Sequence, residues 1–259
     1  MWLYRTSGCT EHSIVLYEYK PNRKPENARS FLQNFRGWLH ADGYQGYHTL
    51  PEEIRTVGCW AHARRKYDEA LHTLPEDARK GSHAAKGLAY ITKLYAIEAE
   101  LSEKLPKEQN AERWKIMYEE RLRREKPVLD EYLSWANSLL PKTAPKSALG
   151  KALHYTVEQW KYLIRYLEDG RLEIDNNRAE RSIKPFVMGR KNWMFANTPA
   201  GAQSSAVIYS LVETAKENHL DPYRYLLYVL KTAPKLFRTT TDWVTPLLPE
   251  NAPEECRTK

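Results

Sequence analysis

Three cysteines in 259 residues, at Cys9, Cys59 and Cys256, are too few and too scattered for a disulfide framework. Their thiols are expected to be reduced. The chain also lacks any apolar run near the roughly 18 residues of a membrane span. Its start, Met1-Trp2-Leu3-Tyr4-Arg5-Thr6, has none of the charged region, apolar stretch and small-residue cleavage site of a signal peptide. These absences exclude a secreted disulfide scaffold and a membrane partner, and the expected location is the cytoplasm. From Ala61 to about Asp169 there is no period-two patterning, which excludes a β-rich middle.

The hydrophobic fraction of 42% and charged fraction of 28% are those of a chain that can bury a core. A net charge of +7 and a pI near 9.1 favour a polyanionic partner, because Lys and Arg that neutralise phosphates gain affinity from released counterions. Aromatic residues lie beside cations in Trp60–Lys66 and Arg190–Trp193, where rings could stack on bases.

Trp2–Thr6 and Ser13–Lys20 are short β-prone runs around Ser7-Gly8-Cys9-Thr10, the pattern of an antiparallel hairpin. Ala28, Phe31, Leu32 and Phe35 give Glu26–Phe35 helical spacing. Gly37–Gly43 reads as a strand stopped by a turn, Tyr44–Leu50 as a short helix and Ile54–Trp60 as a further strand. Three apolar-periodic stretches follow, Ala84–Leu101, Ala111–Leu140 and Ser147–Leu167, punctuated by proline and glycine. Strand character is expected again at Arg171–Ile174 and Asn192–Ala196, with a helix from about Asn177 between them. Two helices, Ser204–Asn218 and Pro222–Lys231, precede a tail after Pro234 that is expected to be loose.

Asp42 ends an apolar strand before a glycine, exposing a carboxylate where a hard cation could bind. Taken alone it is equally an ordinary Asp-Gly turn. Glu180 falls three residues after Asn177, which taken alone reads as a capping box. Together they are two of the carboxylates with which an enzyme could hold a pair of divalent cations for phosphoryl transfer on DNA. Arg64, Arg65, Lys66, Asn177, Arg178, Arg181, Lys184, Arg190, Lys191 and Trp193 are the candidate nucleic-acid contacts beside them. Cys9-Thr10-Glu11-His12 and Cys59-Trp60-Ala61-His62 both read C-x-x-H, a spacing that could also serve zinc.

Five stretches in order carry a resemblance: Leu39-His40-Ala41-Asp42-Gly43-Tyr44-Gln45-Gly46-Tyr47; Gly58-Cys59-Trp60-Ala61-His62-Ala63-Arg64-Arg65-Lys66; Asp169-Gly170-Arg171 leading into Asn176-Asn177-Arg178-Ala179-Glu180-Arg181; Gly189-Arg190-Lys191-Asn192-Trp193-Met194-Phe195-Ala196; and Ile208–Lys216 with Leu220-Asp221-Pro222. The chain resembles the DDE transposases of the insertion sequence 66 family. The resemblance implies an α/β fold, a ribonuclease-H-like mixed sheet with a large all-helical insertion and a C-terminal helical unit. The implied segments are 1–66 and 171–200 for the sheet domain, 67–170 for the insertion and 201–259 for the C-terminal unit.

In such a domain Asp42 matches the second metal-binding carboxylate and Glu180 the third, with magnesium, or alternatively manganese, as cofactor. The first carboxylate and its strand, the middle one of the order 3-2-1-4-5, have no match, so a truncated or partial transposase is expected. The same strand order sends Cys9 and Cys59 to opposite ends of the sheet, so the zinc site is not expected. Implied partners are the transposon ends and target DNA, further copies of the chain and accessory proteins of the same element. The rival readings are a non-catalytic DNA-binding or regulatory remnant of a transposase, and a helical interaction protein with no nucleic-acid role.

Overall fold

The structure is a computed structural model that describes residues 1–193 and 196–258. In chain order, β1 (Trp2–Arg5) and β2 (Val15–Glu18) are followed by α1 (Pro25–Phe31), β3 (Gly37–His40), a 3-10 turn at Gln45–Thr49 and β4 (Ile54–Val57). Six helices come next: α2 (Trp60–His72), α3 (Glu76–Arg79), α4 (His83–Lys104), α5 (Ala111–Arg124), α6 (Lys126–Leu139) and α7 (Ala148–Leu163). Then come α8 (Asn177–Trp193), α9 (Pro199–Glu217) and α10 (Pro222–Thr239). Helix dominates, and the described strands form two two-stranded sheets, β1 antiparallel to β2 and β3 parallel to β4. The chain divides into two compact units, Lys24–Asn176 and Met1–Arg23 with Asn177–Lys259.

In the first unit, the helices start where a short polar side chain replaces a missing intrahelical partner. Ser82, Asn110 and Ser147 accept the backbone N–H of Ala85, Arg113 and Gly150 at 3.1, 2.9 and 3.0 Å, opening α4, α5 and α7. Buried Ala84, Gly87, Ile91, Leu94, Ile97 and Leu101 recur at steps of three and four along α4, one face of the helix. That face joins Trp60, Tyr67, Leu129, Tyr132 and Leu153 in one core, each of these five at most 1% exposed. A fully buried side chain of this size contributes about 1.5–3 kcal/mol. The expected all-helical stretch between Tyr67 and Leu167 contains no strand.

β4 is shorter than the expected Ile54–Trp60. Gly58 leaves the sheet, its N–H donating to the Tyr162 carbonyl at 2.9 Å, and a Cβ there would lie 3.0 Å from the Leu163 backbone nitrogen. Helix α2 can therefore begin at Trp60, whose N–H is taken by the Ile174 carbonyl at 3.2 Å. That bond also explains why Arg171–Ile174 is not the expected strand. Its ends serve other partners, Arg171 folding back on Asp169 and Ile174 capping α2.

In the second unit β2 is covered by a helix. Val15 N–H donates to Thr214 Oγ1 at 3.0 Å and Tyr17 N–H to Ser210 Oγ at 2.8 Å, so hydroxyls of α9 satisfy an edge strand. The tail after Pro234 is not loose. α10 runs through Pro234, which sits on the exposed side where water can take the orphaned carbonyl. Beyond it, Leu247, Ala252 and Cys256 are buried. Asn192 is helical rather than extended, while Met194 and Phe195 lie outside the described residues.

Candidate active site

Asp42 sits one residue beyond the ladder of β3 and β4, which Ala41 extends by donating to the Val57 carbonyl at 3.0 Å. Its Oδ1 accepts the Tyr44 N–H at 3.2 Å, an Asx turn that fixes the half-buried carboxylate. The next residue has to be small. A Cβ on Gly43 would lie 2.9 Å from the ring of Tyr155 on α7, so glycine lets a tyrosine of the helical block lie directly against the turn. Burial, then the neighbouring Cys59 and Asp42, hold the Tyr155 hydroxyl protonated. Lys66 Nζ stands 5.0 Å over the same ring, within cation–π range.

The basic triplet on α2 is thereby divided. Lys66 is half-buried on Tyr155, whereas Arg64 and Arg65 are exposed. Behind them, His40 Nε2–H donates to the Gly58 carbonyl at 2.8 Å, and burial holds the imidazole neutral, down to about 4. The fully buried Cys59 thiol is pushed up to about 11 by its burial, and its Sγ accepts the Asn176 N–H at 3.2 Å. A neutral thiol in that role ties the 169–176 loop to the head of α2. Asp175 accepts the Tyr95 hydroxyl at 2.8 Å. Neither Tyr155 nor Tyr95 carries a signal in the sequence, because each meets its partner across a long stretch of chain.

Glu180 lies half-buried in the first turn of α8, whose first residue is Asn177 rather than the residue before it. At 100° per residue, Asn177, Arg181, Lys184 and Lys191 share one stripe of this helix, with Glu180 at its border. Arg181, Lys184 and Lys191 are exposed. Arg178 turns elsewhere, to 3.9 Å from Glu217, and Arg190 lines a cavity of about 420 Å³ with Tyr19, Phe186 and Asn197. The Trp193 side chain lies outside what the structure describes.

The hairpin positions this helix. Arg5 of β1 donates to Ser182 Oγ at 2.6 Å and pairs with both Glu217 oxygens at 3.2 and 2.8 Å, a bidentate contact of the strong kind. Arg5 also holds the Glu217 carboxyl below the usual carboxylate range. From β2, the Tyr17 hydroxyl donates to the Ser182 carbonyl.

Asp42 and Glu180 belong to different compact units. Among the described residues no three His, Cys, Asp or Glu side chains gather into a group that could hold a metal ion. A two-metal centre would need a further carboxylate beside Asp42 and Glu180.

The site thus offers a carboxylate at a strand end, a second on a basic helix and exposed cations on α2 and α8. The comparisons are more specific. Residues 1–204 match the transposase IS66 family and residues 210–249 the IS66 C-terminal element. The chain belongs to the transposase IS66 family. Two uncharacterized proteins of Sinorhizobium fredii (strain NBRC 101917 / NGR234) are similar to it: y4jD, 33% identical over 92% of this chain, and y4qI, 32% identical over 89%. The chain spans 45% and 43% of their lengths, less than half of each. No solved structure matches it. No described helix is long and apolar enough to cross a membrane.

Proposed function

We propose that this chain is part of an insertion-sequence transposase that cuts and joins DNA, with Asp42 and Glu180 as two of its catalytic carboxylates. The observation that carries the reading is the placement of Asp42, fixed at the end of β3 by an Asx turn and backed by Tyr155, beside the basic α2. A strand end displays a carboxylate to solvent without burying its charge, and the cations that follow can hold phosphates. The two sheets fit the ribonuclease-H-like part of the reading. β1 and β2 stand for its strands 2 and 3, β3 and β4 for strands 4 and 5, and each described strand pairs with one neighbour only.

Magnesium or manganese enters the proposal only as the charge that Asp42 and Glu180 would hold together with a third carboxylate. The roles of the residues present are narrower. Asp42 and Glu180 supply negative charge at the reacting phosphate, while Arg64, Arg65, Arg181, Lys184 and Lys191 grip the DNA backbone. Further copies of the chain and accessory proteins of the element are part of the same proposal.

The test is strand joining on pre-cut element ends by a protein of the relatives' full length that contains this chain. Asp42→Asn and Glu180→Gln should each lower the rate at least about 1000-fold, since losing such a charge contact costs several kcal/mol and each 1.36 kcal/mol is about tenfold. DNA affinity should change little. Unaltered joining by either variant overturns the assignment. The rival reading, a DNA-binding or regulatory remnant, requires the unsubstituted protein to bind the ends without joining them.

A further inference from the structure

The outer side of α10 carries an apolar stripe. Tyr223, Leu227, Leu230, Pro234 and Phe237 follow one another at steps of four and three, the spacing that keeps a seam on one side of a helix. Tyr223 is 74% exposed, and Leu230 and Phe237 are 67% exposed. The opposite side is already committed to the fold, since the Tyr225 and Tyr228 hydroxyls donate to the Leu247 and Pro246 carbonyls at 2.7 and 2.9 Å. Trp243, edge-on to Phe237 at 5.5 Å, and the exposed Val244 continue the apolar surface beyond the end of the helix.

The charge on this helix has one sign and one side. α10 contains Arg224, Lys231, Lys235 and Arg238 and no Asp or Glu. At 100° per residue those four cations form a single row along one border of the stripe, and the other border carries Leu226 and Ala233. A second copy of α10 gives this row no counter-charge. Antiparallel pairing sets cation row against cation row, and parallel pairing sets it against Leu226 and Ala233. Duplex DNA would match the cations and leave the leucines and Phe237 in water. The complement of both features is an amphipathic helix with an apolar stripe bordered by carboxylates.

We propose that α10 is a docking helix for another protein, one that presents such an acid-bordered amphipathic helix. The stripe lies within residues 210–249, the span that matches the IS66 C-terminal element. The proposal does not depend on the roles of Asp42 and Glu180.

The experiment uses the whole chain and two synthetic three-heptad peptides, both with leucine along the stripe, one bordered by glutamate and the other by lysine. Fluorescence anisotropy should show the glutamate peptide bound, at least tenfold tighter than the lysine peptide, with affinity falling as salt rises. Leu230→Glu with Phe237→Glu should abolish binding, and both sites are exposed enough for the variant to fold, which circular dichroism checks. Lys231→Glu with Lys235→Glu should reverse the preference between the peptides, a result that simple unfolding cannot give. Equal binding of both peptides, or binding untouched by the apolar substitutions, overturns the proposal. So does failure to bind the glutamate peptide while Leu230→Glu with Phe237→Glu abolishes self-association in sedimentation, duplex DNA binding or adsorption to anionic vesicles.

Discussion

The two compact units solve the problem of stability differently. Lys24–Asn176 buries one large core in which Trp60, Tyr67, Ile91, Leu94, Leu129, Tyr132 and Leu153 are almost wholly enclosed. Among its described residues, Met1–Arg23 with Asn177–Lys259 shows two small clusters, around Val15 and around Leu220, together with the Arg5–Glu217 pair. It also displays many of the exposed large apolar side chains, among them Met188, Ile208, Leu230 and Phe237. A unit that encloses its core can stand as a scaffold. One that shows apolar surface is built to meet something else.

If that contrast is right, the largest effects on stability fall in the first unit. Gly170→Ala would put a Cβ 1.9 Å from the Trp114 carbonyl oxygen, a backbone clash that no side-chain rotation relieves. It should cost about 3 kcal/mol, the upper part of the range for overpacking. Gly201→Ala, whose Cβ would meet only Thr198 Oγ1 at 3.3 Å, should change stability by less than about 0.5 kcal/mol. Urea unfolding of the two variants makes the comparison, and equal midpoints would break it.

The scaffold unit has one polar weakness. Glu125 is fully buried between α5 and α6, accepting the Tyr166 hydroxyl at 2.5 Å, and burial followed by the charge of Glu98 pushes its carboxyl up to about 8. Glu98 is itself paired with the buried Arg121 at 2.6 and 2.8 Å. A carboxyl whose folded value lies above the unfolded one stays protonated in the fold. Its contribution is complete below about 4.5 and is lost as pH rises toward 8. Glu125→Gln keeps the shape without the titration. It should leave stability nearly unchanged at pH 5 and raise it by about 1–2 kcal/mol at pH 9, read from thermal melts at both values. A wild-type chain equally stable at the two pH values would show that Glu125 ionises freely in the fold.

In the second unit the corresponding probe is Thr214→Val. Its hydroxyl both accepts from Val15 N–H and donates to the Val15 carbonyl, at 3.0 Å each way. Replacing it leaves two buried backbone groups of β2 without partners, a loss of about 1–2 kcal/mol. A smaller effect than from Gly170→Ala is what the contrast requires.

How far the sequence revealed this architecture depended on the range of the interaction. The apolar stretches of α4 to α7 could be read because a helical period is local. Asp42 could be singled out from its strand and glycine. The shortening of β4 could not, since it follows from Gly58 meeting α7 about a hundred residues later, and the loss of the Arg171–Ile174 strand follows from capping α2. Pro234 signalled a helix end in sequence. It does not end α10 because it faces water, and exposure is a property of the packed structure. Tyr155 was hidden for the same reason, its role being set by Gly43 on a distant turn.

The smallest expected effect concerns the cations of α2, where the two sides of one helix can be compared within a single triplet. Arg64 and Arg65 are exposed, while Lys66 is held against the Tyr155 ring. An exposed guanidinium that contacts a phosphate contributes counterion release and little sequence information. Arg64→Ala with Arg65→Ala should therefore weaken duplex binding a few-fold on every sequence alike, and should reduce the slope of log affinity against log salt by up to about 1.8, roughly 0.9 for each lost contact. Lys66→Ala should act otherwise. Its ammonium sits over a ring beside Asp42, so removal should loosen the Asp42–Gly43 turn while leaving the salt slope within about 0.5 of the wild type. Anisotropy titrations across a salt series separate the two outcomes. A salt slope that falls as much for Lys66→Ala as for each arginine would mean that Lys66 leaves Tyr155 to reach the DNA, and the division of the triplet would not hold in the complex.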